Sequence, residues 1–101
     1  MSSDFDGLVV ENDEKAQQFR LRIDGQVAVI EYSRSNGTIV FSHTEVPPAL
    51  EGKGIAGKLA KAALEYARDQ KLAVVPRCQY VASYIRKHPE FQSLVRTEER
   101  A

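Results

Sequence analysis

The chain has 101 residues, 43% of them hydrophobic and 28% charged, with fourteen basic residues balanced by fourteen acidic ones. That length predicts one domain with a modest core, and the composition excludes a disordered or collagen-like chain. Zero net charge excludes a general electrostatic draw to nucleic acid or membrane, and a single cysteine excludes an internal disulfide.

Residues 1–7 have neither the basic region nor the apolar run of a signal peptide. No stretch approaches the length of a membrane span. A soluble cytoplasmic protein is expected, with no nucleic-acid or membrane partner. One domain over residues 8–95 is expected, with tails at 1–7 and 96–101.

Leu8-Val9-Val10 is the expected first strand and Asn12-Asp13-Glu14-Lys15 its turn. Phe19-Arg20-Leu21-Arg22-Ile23 alternates apolar and charged residues, the pattern of a strand with one wet face. Asp24-Gly25 predicts a two-residue hairpin turn. Gln26–Tyr32 then returns as a strand, apolar on both faces around Val27–Ile30 and so deeply buried. A second turn at Asn36-Gly37 leads to a strand from Thr38 to Val46, ended by Pro47-Pro48, which offer no backbone donors.

Next comes Leu50-Glu51-Gly52-Lys53-Gly54-Ile55-Ala56-Gly57-Lys58. Glycines let backbone amides approach an anion closely, and the start of the following helix leaves amides unpaired. Together these predict an anion cradle. Gly52-x-x-x-x-Gly57-Lys58 begins like a nucleotide P-loop, but Leu59 stands where the metal-binding hydroxyl belongs. The strand Leu72–Val75 carries no acidic residue for that metal either, and the chain is short for a doubly wound domain. ATP or GTP hydrolysis is therefore rejected.

The helix is predicted from Ile55 to about Gln70, with Ile55, Ala56, Leu59, Ala60, Ala62, Ala63, Leu64, Tyr66 and Ala67 on one broad face. Leu72–Val75 reads as a buried strand, parallel to the strand before the helix. A second helix over Gln79–Lys87 stops at His88-Pro89. Phe91, Leu94 and Val95 are expected in a last short strand.

Glu51-Gly52-Lys53-Gly54-Ile55-Ala56 resembles the pyrophosphate loop [Q/R]-x-x-G-x-[G/A] of the GNAT superfamily of acetyl-CoA-dependent N-acetyltransferases, with Glu51 departing from the usual Gln or Arg. His43-Thr44-x-Val46-Pro47 before the loop and Pro76-x-Cys78-x-Tyr80 after the helix resemble the small single-domain branch of that superfamily. The resemblance spans about residues 8–95. It implies an α+β fold of minimal GNAT type: a mixed, mostly antiparallel twisted sheet with one parallel β-α-β crossover and two helices. It implies acetyl-CoA as cosubstrate and an amine, small molecule or protein lysine, as acceptor. Thr44, Glu45 and Val46 would hold pantetheine through their backbone. Gly52, Lys53, Gly54, Ile55, Ala56, Gly57 and Lys58 would hold the pyrophosphate.

Three side chains stand out as catalytic candidates. Cys78 opens the second helix beside Arg77, where dipole and charge favour a thiolate; it either accepts the acetyl group or packs beside it. Tyr84 sits at an offset similar to the tyrosine that many GNAT enzymes use to protonate the departing thiolate. Tyr80 shares its helical face, and either ring could instead belong to the core. His43 alternates with Ile39 and Phe41, which predicts an inward side chain, either a structural histidine or, at the end of the strand that the GNAT resemblance implies is splayed, a general base. Glu45 is the rival base, as carboxylates on this strand serve in some GNAT enzymes. No metal site is predicted, because two histidines and one cysteine, widely spaced, make no ligand pattern. Arg86, Lys87 and His88 read as a solvated basic cluster. The rival functional class is a non-catalytic CoA-binding or protein-interaction module; thiol chemistry at Cys78 unrelated to CoA is a third. The sequence leaves the oligomeric state open, with a monomer slightly favoured.

Overall fold

A computed structural model describes residues 9–52 and 54–96 of the chain. Two sharp turns organise its first half. At Asp24-Gly25 and Asn36-Gly37 both residues have positive φ, 51° and 78° in the first and 50° and 78° in the second. That is the backbone a type I′ hairpin requires, and its twist matches the flanking strands. The turns join β2 (Gln18–Ile23), β3 (Gln26–Ser35) and β4 (Thr38–Glu45). A short edge strand, β1 (Glu11–Asp13), pairs with β2.

After β4 the chain makes a 3₁₀ turn (Pro48–Leu50) and enters α1 (Ile55–Asp69). β5 (Ala73–Pro76), α2 (Gln79–Lys87) and a 3₁₀ segment (Pro89–Leu94) follow. The five strands form one sheet in the order β1-β2-β3-β4-β5. Every pairing is antiparallel except β4 with β5, which is parallel and spanned by α1. The expected α+β arrangement with one parallel crossover is what the chain adopts.

One face of the sheet carries the core. Phe19, Leu21, Ala28, Ile30, Tyr32, Ile39 and Phe41 meet Ile55, Leu59, Ala60, Ala63, Leu64 and Ala67 of α1, and Val81 and Ile85 of α2 join the same cluster. The alanines let α1 lie close to the sheet. Burying a leucine or isoleucine contributes roughly 1.5–3 kcal/mol, so Ile55, Leu59 and Leu64 outweigh the roughly 1 kcal/mol that Gly57 costs inside the helix.

Several expectations shift. Leu8 and Lys53 lie outside the described residues. Asn12 and Asp13 sit in the β1–β2 ladder, opposite Phe19 and Gln18, rather than in a turn. Asn12 accepts the Tyr32 hydroxyl at 2.7 Å. Asp13 accepts the Ala16 amide at 3.0 Å and pairs with Arg20. The Ala16 bond is the main reason its carboxyl is held below the ordinary range, with Arg20 assisting. β3 is buried on one face only: Val27 and Val29 are half-buried, because both helices feed the cluster on the opposite side. The expected last strand is instead a 3₁₀ turn that buries Phe91, and a single parallel bridge, Val74↔Val95, remains of it. Pro89 at its start lacks the N–H a ladder needs.

No glycine marks the end of α1. Lys71 takes the left-handed backbone there, at φ 60°. Its amide bonds the Arg68 carbonyl at 3.1 Å, and the Leu72 amide bonds the Ala67 carbonyl at 2.8 Å. These are the two hydrogen bonds of a Schellman cap, with a lysine where glycine is unstrained. Lys71→Gly should raise stability by roughly 0.5–1 kcal/mol, measured by urea unfolding.

Candidate functional site: the cleft where two parallel strands part

β4 and β5 are paired only from Thr38↔Ala73 to Phe41↔Pro76. Pro76 has no amide to donate, and among the described residues the last backbone hydrogen bond between the two segments is the Cys78 amide donating to the Phe41 carbonyl at 2.9 Å. Beyond Phe41, β4 continues against β3 while the other chain turns into α2. The gap between them is open.

At the same point β4 bulges. Tyr32 pairs with Phe41, but the next residue of β3, Glu31, pairs with His43, so Ser42 is the extra residue. Its hydroxyl donates to the Glu31 carbonyl at 3.3 Å. An inserted residue reverses the in–out alternation beyond it. His43, expected inward after Ile39 and Phe41, is therefore exposed on the other face, with Nε2 3.6 Å from a Glu45 carboxylate oxygen. Thr44 turns inward instead, opposite the buried Ile30. Its Oγ1 lies 3.0 Å from the Cys78 sulfur, within hydrogen-bonding distance.

The N-terminus of α1 faces this gap. Gly52 and Gly54 hold φ of 80° and 77°, and a left-handed Gly54 caps the helix with no side-chain hydrogen bond. The first helical hydrogen bond runs from the Lys58 amide to the Gly54 carbonyl at 3.0 Å. The amides of Gly54, Ile55, Ala56 and Gly57 precede it and have no intrahelical acceptor. This is an anion cradle made of backbone. Between cradle and strands lies a cleft of about 670 Å³ that includes Ser42, His43, Thr44, Val46, Glu51, Gly52, the turn from Gly54 to Gly57, and the segment from Arg77 to Tyr80. Cys78, only 9% exposed, forms part of its wall.

Most of the residues expected at the site meet here: His43, Thr44, Val46, Gly52, Gly54, Ile55, Ala56, Gly57 and Cys78. Three do not line the cleft. Lys58 spends its amide inside α1, and its side chain lines a separate hollow with Val10 and Glu65. Glu45 contacts His43 outside the lining. Tyr84 stacks on His88, with ring centres 3.8 Å apart, and packs towards Phe91.

Tyr80, one helical turn earlier, is the tyrosine in the cleft. Four residues of helix carry Tyr84 roughly 6 Å further along the axis. Burial, and secondarily the neighbouring Cys78, raise the Tyr80 hydroxyl above the ordinary tyrosine range. Like any tyrosine it is protonated at neutral pH and can donate a hydrogen bond. Its oxygen would lie 3.6 Å from a Cβ placed on Gly57, so it reaches the first turn of α1. A Tyr84 ring carbon comes almost as near, at 3.8 Å, but of the two tyrosines only Tyr80 lines the cleft. Among the described residues no group of three or more His, Cys, Asp and Glu gathers to hold a metal, and no helix is long and apolar enough to cross a membrane.

The family model of the GCN5-related N-acetyltransferases matches residues 18–94. Human protein NATD1 is 39% identical over 92 residues, covering 88% of this chain and 81% of its own. The Gallus gallus NATD1 is 41% identical over 85 residues, covering 81% and 77%. A GCN5-like protein of Staphylococcus aureus, solved in solution by NMR, superposes with a TM-score of 0.71 at 27% identity, covering 91% of both chains.

The loop glycines differ in what they tolerate. Gly54→Ala forces a side chain into left-handed backbone and should lower stability by about 1 kcal/mol. A Cβ at Gly57 makes only ordinary contacts, at 3.6 Å to Tyr80 and 3.8 Å to Tyr84. Gly57→Ala should therefore raise stability by roughly 0.5–1 kcal/mol, both effects being read by urea unfolding.

Proposed function

Because the chain belongs to the GCN5-related N-acetyltransferase family, we propose that it is an acetyl-CoA-dependent N-acetyltransferase that moves the acetyl group to an amine. One observation carries this reading above the others: the gap between β4 and β5 opens directly onto the unpaired amides of α1, with a thiol in its wall. The cleft therefore suits a long ligand with an anion at one end and a reactive thioester at the other.

The amides from Gly54 to Gly57 would hold the pyrophosphate, and Arg77 adds a cation to the lining. Backbone of β4 around Thr44 and Val46 would take the pantetheine arm, since β5 no longer occupies that edge. Acetyl-CoA supplies an activated acyl group when bound. Cys78 and Thr44 would border that group, and His43 at the cleft mouth would accept the proton of the attacking amine. Tyr80, the tyrosine that lines the cleft, would give a proton to the departing thiolate. We place this activity in the cytoplasm, where a lone thiol such as Cys78 stays reduced.

Calorimetric titration of the protein with CoA, followed by an acetyl-CoA assay across a panel of primary amines, tests the reading. Binding with turnover above buffer supports it. Binding without turnover favours a CoA-binding module, and absence of binding overturns the assignment.

Two variants sharpen the result. Glu51 borders the cradle with a negative charge. Glu51→Gln should tighten CoA binding about fivefold, as expected for removing roughly 1 kcal/mol of repulsion between exposed charges. Tyr80→Phe should lower kcat about a hundredfold, in the range of a lost general acid, whereas Tyr84→Phe should change it less than threefold.

A further inference from the structure

We propose that the Thr44 hydroxyl is the positioning group for the Cys78 thiol, a side-chain role separate from anything its backbone does for a bound ligand. The proposal rests on the acyl-CoA reading for what the sulfur faces. The contact itself does not depend on it.

Thr44 Oγ1 and Cys78 Sγ lie 3.0 Å apart across the gap where the parallel strands part. The two residues come from different elements, and neither would meet the other without the Ser42 bulge. Without the extra residue, His43 would follow Phe41 on the inner face and Thr44 would point outwards. Thr44 is held from behind by its pairing with Ile30. Its branched side chain has restricted χ1 freedom, so the hydroxyl comes from a rigid strand.

Cys78 stands at the N-cap of α2, where a side chain ordinarily bonds the helix amides, yet it makes no such bond. Its sulfur bonds Thr44 instead. A hydroxyl both donates and accepts. It accepts from the S–H when the thiol is protonated and donates to the sulfur when the proton has left. Thr44 thus holds the sulfur in one direction through either state, in a wall where Cys78 is almost fully covered.

The single cysteine makes the test specific to this bond. The infrared S–H stretch and the rate of iodoacetamide alkylation both report Cys78 alone. They are measured on the full chain for wild type, Thr44→Val and Thr44→Ser, after circular dichroism has shown equal folding. In Thr44→Val the S–H band should move to higher frequency and alkylation at pH 8 should slow about threefold or more, because the charged sulfur loses a donor. Thr44→Ser should restore both. An unchanged band and rate in Thr44→Val overturn the proposal. If that variant does not fold, the wild-type band is compared with that of the urea-unfolded chain in the same solvent and that of a small thiol in the same urea. A folded band at the free-thiol position overturns the proposal, and a lowered one supports it. Calorimetry with CoA on the same wild-type sample separates the two readings. A shifted band without CoA binding supports the Thr44 contact and overturns the acyl-CoA assignment. CoA binding with no band difference does the reverse.

Discussion

Parallel strands hold each other only where both present amides and carbonyls in register, and β4 and β5 do so for four residue pairs. Pro76 ends the ladder chemically, since it has no N–H, and Ser42 ends it geometrically by bulging β4. The two devices act at the same level of the sheet. A proline alone would stop one hydrogen bond and leave the strands side by side. The bulge bends β4 and re-aims its side chains as well. The cleft is therefore a consequence of how the sheet is terminated, and the helices α1 and α2 then furnish its walls.

The rest of the fold keeps that gap in place. The buried faces of α1 and α2 meet in one cluster with the sheet, which anchors both helices by apolar contacts. Leu50 and Ile55 bury on either side of the exposed Gly52 and Gly54, and Ile55 pins the first turn of α1 to the core. A cradle of amides needs that rigidity. Its donors are fixed before any ligand arrives, and less ordering is required on binding.

Much of this was legible in the sequence because it rests on local chemistry. The Asp24-Gly25 and Asn36-Gly37 turns, the start of α1 after Gly54, and both limits of α2 follow from residues that only one backbone suits. The family resemblance located the loop and Cys78 in advance. The bulge was hidden. Ser42-His43-Thr44 reads as ordinary alternation, and what makes Ser42 extra is its pairing with β3, a non-local property. His43 was accordingly expected on the wrong face, and Thr44 was valued for its backbone alone. Tyr84 was preferred to Tyr80 because helical spacing fixes a face and not a height along the axis. Lys58 resembled a phosphate ligand until the first hydrogen bond of α1 claimed its amide. The end of α1 near Gln70 was also foreseen, but not the form of its cap, since Lys71 adopts a conformation that composition assigns to glycine.

The two helix N-termini at the cleft share one feature. Neither Gly54 nor Cys78 caps its helix with a side chain. A serine, threonine, aspartate or asparagine in such a position is ordinarily worth about 1 kcal/mol over a residue that cannot cap. The chain forgoes that stabilisation twice, at neighbouring points, while no buried polar side-chain atom among the described residues lacks a partner elsewhere. Two local departures from good helix design in an otherwise satisfied structure mark where stability and use compete. At Gly54 the missing cap leaves amides open to an anion. At Cys78 the side chain that would have capped α2 turns towards Thr44. The same substitution that would best cap α2, a serine for Cys78, would remove the thiol, so fold stability and the chemistry of the cleft ask for different atoms at that position.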